Sequence, residues 1–138
     1  KTRLLWIACG LLLTLALTGC AGAEAIVLPD AAEVTAVRVT AGDAVTLRTD
    51  RAWIEGFLQQ AAEAVSTGGE SVQDAPDQPG AVRVELGTGE PPDWSVLYVY
   101  EADGACCLEQ PYTGIYQGDE ALWTFLASGA VPEGRDPR

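Results

Sequence analysis

A mostly apolar run from Leu4 to Leu17, led by Lys1 and Arg3, opens the chain and ends at Thr18-Gly19-Cys20. At about 14 residues it falls short of the roughly 18 a spanning helix needs. A basic flank, a short apolar centre and small residues at its end describe a secretory leader. Residues 21–32, rich in Ala with one Pro29, hold no sustained period and read as a tether, with order expected from Glu33. Residues 33–40 and 44–49 then alternate, with Val37 and Val39 on one face and Val45 and Leu47 on one face, joined through Ala41-Gly42-Asp43 as a hairpin. Asp50 is placed as an N-cap, followed by Ile54, Phe57, Leu58, Ala61 and Val65 at helical spacing until Gly68-Gly69. From Ser66 to Gly80 the Gly, Ser, Asp, Gln and Pro content predicts a long connection.

The rest reads as sheet. Val82, Val84 and Leu86 alternate with Arg83 and Glu85, which gives one dry and one wet face. Trp94 to Tyr100 is apolar on both faces, with Trp94, Val96, Tyr98 and Tyr100 on one side and Leu97 and Val99 on the other, the pattern of a central strand. Ala102-Asp103-Gly104 turns the chain into Ala105 to Gln110, and Asp119 is placed to cap a short last helix with Leu122, Trp123, Phe125 and Leu126. The expected fold is a single small α+β domain over residues 33–129. Its antiparallel sheet of about five strands, in the order β-β-α-β-β-β-α, would carry the main helix on one face and a short C-terminal helix. Residues 130–138 are expected to be a disordered tail.

Leu17-Thr18-Gly19-Cys20 resembles the lipobox of bacterial prolipoproteins. The resemblance implies a signal peptide over residues 1–19, cleavage between Gly19 and Cys20, and lipidation of the Cys20 thiol. An ordinary leader cut near Ala21-Gly22-Ala23 is the competing reading. Two acyl chains hold a protein stably on a bilayer, where one does so marginally. The expected product is therefore a lipid-anchored protein of the cell membrane, facing outward, with residues 20–32 as lipidated cysteine and tether. The chain begins at Lys1, and its precursor is expected to start just upstream.

Charge narrows the partners. Without residues 1–19 the chain keeps six basic residues against 20 acidic ones, a net charge of −14. No Lys/Arg cluster interrupts that field, so nucleic acid is an unsuitable partner. The acids are scattered, which suits a solubility role, and a cationic partner is the sharper alternative. Of four cysteines only Cys106 and Cys107 remain as thiols in the mature chain. Neighbours on a strand face opposite ways, so one is expected in the core and the other outside or under the last helix. With no histidine and two adjacent thiols, no metal site and no cofactor are expected.

The most unusual string of the mature region is Glu109-Gln110-Pro111-Tyr112-Thr113-Gly114-Ile115-Tyr116, expected to leave a strand and enter a helix cap. Pro111 fixes one φ, Gly114 offers a conformation other residues avoid, and Tyr112 and Tyr116 each bring a ring and a hydroxyl. Glu109, Gln110, Tyr112, Gly114 and Tyr116 are the candidate binding residues. The competing reading has both tyrosines clamping the last helix onto the sheet, with Glu109 accepting backbone N–H bonds at the bend. With Tyr98-Val99-Tyr100 before it, the string resembles an uncharacterised family of small secreted or lipid-anchored domains from Gram-positive Firmicutes with a Glu-Gln-Pro-Tyr-x-Gly-Ile-Tyr signature. That resemblance extends over residues 33–128, including the loop with Ser71 and Asp74-Ala75-Pro76. It departs just before the motif, where Cys106 and Cys107 replace aromatic positions, and it implies location and fold rather than an activity.

The absence of histidine removes Ser/His and Cys/His nucleophilic pairs. A two-carboxylate hydrolase using Glu101 and Glu109 across a hairpin stays open as the least favoured class. The expected function is non-catalytic, a module that binds an unknown envelope protein or peptide. A purely structural envelope lipoprotein is the alternative.

Overall fold

The computed structural model describes residues 24–129. The leader, the cleavage point at Gly19 and Cys20, the start of the tether and the tail at 130–138 lie outside the described residues. Seven strands form one antiparallel sheet: β1 (Val34–Ala41), β2 (Ala44–Arg48), β3 (Val65–Gly69), β4 (Val82–Thr88), β5 (Asp93–Ala102), β6 (Ala105–Gln110) and β7 (Gly114–Gln117). Helix α1 (Arg51–Ala61) follows β2, and α2 (Glu120–Gly129) closes the described chain. The spatial order is β2-β1-β4-β5-β6-β7-β3. The domain is thus strand-rich, with seven strands where the sequence pattern predicted about five.

Both extra strands come from stretches read as connections. Val65-Ser66-Thr67-Gly68-Gly69 carries one apolar side chain, so no alternation betrays it, and it is held by backbone pairing to β7. Strand β7 has four residues, and the first three belong to the motif expected to be a loop into a helix cap. Val65 accordingly leaves the helical face assigned to it. Helix α1 stops at Ala61, the Ala62 N–H bonds back to the Leu58 carbonyl at 2.9 Å, and Val65 sits exposed on β3.

The core lies between the helices and one sheet face. Ile54, Phe57, Leu58 and Ala61 of α1 and Leu122 and Leu126 of α2 bury against Val37, Val39, Val84, Leu86, Leu97, Val99 and Leu108. Fully burying one such side chain contributes about 1.5–3 kcal/mol, so this layer dominates stability. Trp53 stacks on Phe57 at 5.6 Å between ring centroids and meets Phe125 at 5.4 Å, which joins the two helices. Gly56 makes that approach possible, because a Cβ there would stand 3.3 Å from the Phe125 ring. The caps divide. Asp119 Oδ1 accepts the Ala121 N–H at 2.8 Å as expected, whereas the Asp50 side chain makes no cap bond and only its carbonyl receives the Ile54 N–H.

The ordered domain begins before Glu33. Ile26 N–H donates to the Ala64 carbonyl at 3.2 Å, Ser66 N–H donates to the Glu24 carbonyl at 2.7 Å, and Ala25 bridges Val65. Ile26 is buried and Leu28 packs against the core, so residues expected to be tether cover the outer edge of β3 instead. Two apolar side chains without a period gave no sequence signal, yet with Glu55 and Leu58 they line a cleft beside α1.

Candidate functional site

Both helices occupy one face of the sheet and leave the other free of helices. On β5 the expected alternation holds: Leu97 and Val99 turn into the core, while Trp94, Val96 and Tyr98 are half-buried on the helix-free face and Tyr100 is buried there. Cross-strand register brings Gly87 beside Trp94, Glu85 beside Val96, and Glu109 beside Tyr98. A Cβ at Gly87 would stand 2.9 Å from the Trp94 ring, so glycine lets the indole lie across β4. The Arg38 guanidinium sits 4.3 Å from that ring's centroid, on the path of a cation–π contact. Glu85 receives Arg38 on one carboxylate oxygen and Arg83 on the other, each at 3.2 Å. Sequence reading recognised the wet side of β4 but missed this group. Its signal was the shared parity of Arg83 and Glu85 and the matching parity of Arg38 on β1.

The motif continues this face toward β7. Glu109 is 3% exposed, and its two oxygens receive the Ser71 hydroxyl at 2.7 Å and the Tyr100 hydroxyl at 3.0 Å. It does not collect backbone N–H groups at the bend. Burial first, and the bond to Glu109 next, push the Tyr100 phenol well above its ordinary range. Gln110 Nε2 donates to the Val27 carbonyl at 2.9 Å and ties the hairpin to the N-terminal segment. Ser71, buried, thereby anchors the long 70–80 connection onto the sheet.

Residues Gln110 to Thr113 form the β6–β7 turn, closed by the Thr113 N–H on the Gln110 carbonyl at 3.0 Å. In a type II turn, which Pro111 suits at the second position, the third residue takes a positive φ, a place that usually selects Gly or Asn. Here Tyr112 takes it, at φ 59°, and not Gly114, which corrects the expectation that glycine supplies the unusual backbone. Tyr112 is 66% exposed, and its hydroxyl donates to Asp74 Oδ1 at 2.8 Å, a bond that raises the phenol's pKa. Tyr116 is 8% exposed and belongs to the core opposite Leu108. The two tyrosines therefore separate: one is scaffold, the other is presented.

Cys106 is buried under α2 and Cys107 is half-buried on the helix-free face beside Tyr100; both are free thiols. Burial, then the neighbouring Cys107, pushes the Cys106 thiol up to about 11. Glu101 pairs with Cys106 and Glu109 with Tyr98, which puts these two carboxylates on opposite faces of the sheet rather than face to face across the hairpin. Among the described residues, no three Cys, Asp or Glu side chains gather into a metal-holding group. A largely apolar cleft of about 250 Å³, lined by Ala41, Val82, Trp123 and Leu126, lies beside α2 and includes no motif residue. The candidate site is accordingly a surface: the Tyr112 turn, the Ser71–Asp74 loop that braces it, and the neighbouring aromatic strip of β5. No helix among the described residues is long and apolar enough to cross a membrane.

The family model DUF5301, described as "Domain of unknown function (DUF5300)", matches residues 22–117. That span includes every residue of this surface and begins just before the segment that covers β3. An NMR structure of a protein from Ruminococcus gnavus is similar in fold, with a TM-score of 0.59 at 23% identity, covering 68% of this chain and 91% of that one. No curated protein matches the chain.

Proposed function

The chain belongs to the DUF5301 family, and from that premise we propose that its mature form is a lipid-anchored extracytoplasmic module that binds a protein or peptide of the cell envelope through the Tyr112 turn. The anchor is Cys20, supported by the basic flank, the short apolar run and Leu17-Thr18-Gly19-Cys20. The observation that carries the binding reading is the presentation of Tyr112. An aromatic ring stands in solvent on a left-handed backbone, held by Asp74 from a loop that is itself clamped by Ser71 on Glu109. A bulky residue at positive φ is costly and persists only where its surroundings over-determine it, as functional turns do. Trp94, Val96 and Tyr98 extend the surface with apolar area and rigid rings, the composition of contact patches.

A structural envelope lipoprotein is the second reading, favoured by the complete internal engagement of Glu109 and Tyr116. Crosslinking and capture from intact cells separates the two, using the lipidated protein beside a Tyr112→Ala variant whose fold is checked by near-UV circular dichroism. A partner retained by the native chain and lost by the variant is expected; equal capture by both, or none by either, favours the structural reading. Loss of labelled-palmitate incorporation in Cys20→Ala tests the anchor separately.

A further inference from the structure

The sheet's two edges are treated differently. Strand β3 is interrupted by a bulge between Ser66 and Gly69, and Glu24–Ile26 pair along its outer side. Such devices stop an edge from recruiting another strand. Strand β2 has none of them. Its five residues, Ala44-Val45-Thr46-Leu47-Arg48, run in unbroken register with β1, which is its sole sheet neighbour among the described residues. Because Gly42-Asp43 form a two-residue turn, Ala44, Thr46 and Arg48 exchange backbone bonds with β1, and the N–H and C=O groups of Val45 and Leu47 point outward. The same two residues are 62% and 58% exposed. They share the helix-free face with Arg38 and Thr40.

The strand is complementary to itself. Laid antiparallel about a two-fold axis through Thr46, it brings Val45 against Leu47 of the second copy, twice, with four backbone hydrogen bonds between the two outward-facing residues of each strand. Arg48 then falls opposite Ala44 of the second copy, while its guanidinium stays with its own chain, 3.9 Å from Asp50 and 5.3 Å from the centroid of the Trp53 ring. A slip of two residues leaves an exposed Val45 or Leu47 without an apolar partner, and a slip of one sets outward backbone groups against inward ones. We propose that β2 is a homodimerisation edge at which two copies join into one continuous sheet, doubling the seven strands of each. Each Tyr112 turn stays clear of the junction, because it lies toward the opposite edge of the sheet. A strand-edge contact is small and therefore weak in solution. Confinement to a membrane plane, which rests on the anchoring proposed above, raises its effective concentration.

The test is oxidative crosslinking of full-length chains in intact cells. Antiparallel pairing sets the two Thr46 Cα atoms about 4.5 Å apart, within disulfide reach. Thr46→Cys is expected to give a disulfide dimer at least tenfold more abundant than Thr67→Cys on the guarded β3 edge. Adding Leu47→Lys to the Thr46→Cys chain should lower it by a similar factor while protease resistance is unchanged. Equal dimer from both edges, no dimer, or a dimer indifferent to Leu47→Lys overturns the proposal. Energy transfer between donor- and acceptor-tagged lipidated chains reconstituted together in vesicles provides a second readout free of new cysteines. Transfer above that of freely diffusing chains, falling to that level in Leu47→Lys, is expected, and equal transfer for both overturns it. Palmitate labelling of the same cells reports the anchor, so failure of anchoring and failure of pairing are read separately.

Discussion

Strand β5 faces two environments, and they are stabilised in different ways. Leu97 and Val99 meet the helices in a dry layer where attraction is non-directional and spread over many contacts. Next to Val99 along the same strand and on the opposite face, Tyr100 depends on one acceptor, Glu109, which also holds Ser71. Farther along the same face, Arg38 and Arg83 depend on Glu85. A core of this kind tolerates repacking, whereas a face built on single acceptors loses a defined geometry when one atom is removed. The helix face therefore sets whether the chain folds, and the helix-free face sets what it presents.

The most severe way to break that contrast is in the dry layer. Phe57 is fully buried, and Phe57→Ala is expected to cost about 3–5 kcal/mol in urea unfolding. A loss under about 1 kcal/mol would mean that the helices are not the main source of stability. Next comes Glu109→Ala, which strands the Ser71 and Tyr100 hydroxyls and is expected to cost about 2–3 kcal/mol. Unlike the Phe57 change, it should also speed hydrogen exchange selectively in the 70–80 connection. Uniform exchange across the domain would show that Glu109 is merely another buried side chain.

These two variants also mark what the sequence made legible. The dry layer was readable because Val82, Val84 and Leu86 repeat every second residue and Ile54, Phe57, Leu58 and Ala61 every third or fourth, and burial follows such periods directly. The Glu109 contacts were not readable, because Ser71 lies 38 residues away in a stretch without periodicity. Strand β3 escaped for the same reason, since backbone pairing to β7 leaves no mark on side-chain pattern. The motif was singled out by its composition, yet composition alone could not tell that Tyr116 turns inward and Tyr112 outward. That division follows from Tyr116 lying opposite Leu108 and Tyr112 lying in the turn.

A smaller effect appears in alkali, where each face of the sheet carries a titrating group. The Cys106 thiol holds its proton more tightly folded than unfolded, so its contribution is complete below its ordinary value of 9.0 and is lost as pH rises toward about 11. Tyr100 on the other face also has a raised pKa, and its contribution declines above its ordinary 10.0. Stability should be flat from pH 7 to about 9 and then fall, by no more than about 1.4 kcal/mol per pH unit for each proton. Cys106→Ala should shrink the earlier part of the fall, to which the Cys107 thiol, also raised by burial, contributes as well, and Tyr100→Phe should shrink the later part, as measured by urea unfolding at each pH. The mildest change is Tyr112→Gly. It removes a hydroxyl bond but suits the positive φ, so stability should stay within about 1 kcal/mol of the native chain while partner capture is lost.

Placing a benzophenone amino acid at position 112 or at position 101, followed by illumination of intact cells, separates a face that meets a partner from one that does not. Both sites are exposed and they lie on different sides of the sheet, with Glu101 on the helix side. A discrete adduct from position 112 and none from position 101 is the predicted result. No adduct from position 112, or the same adducts from both positions, would contradict the account of the helix-free face as the surface this protein presents.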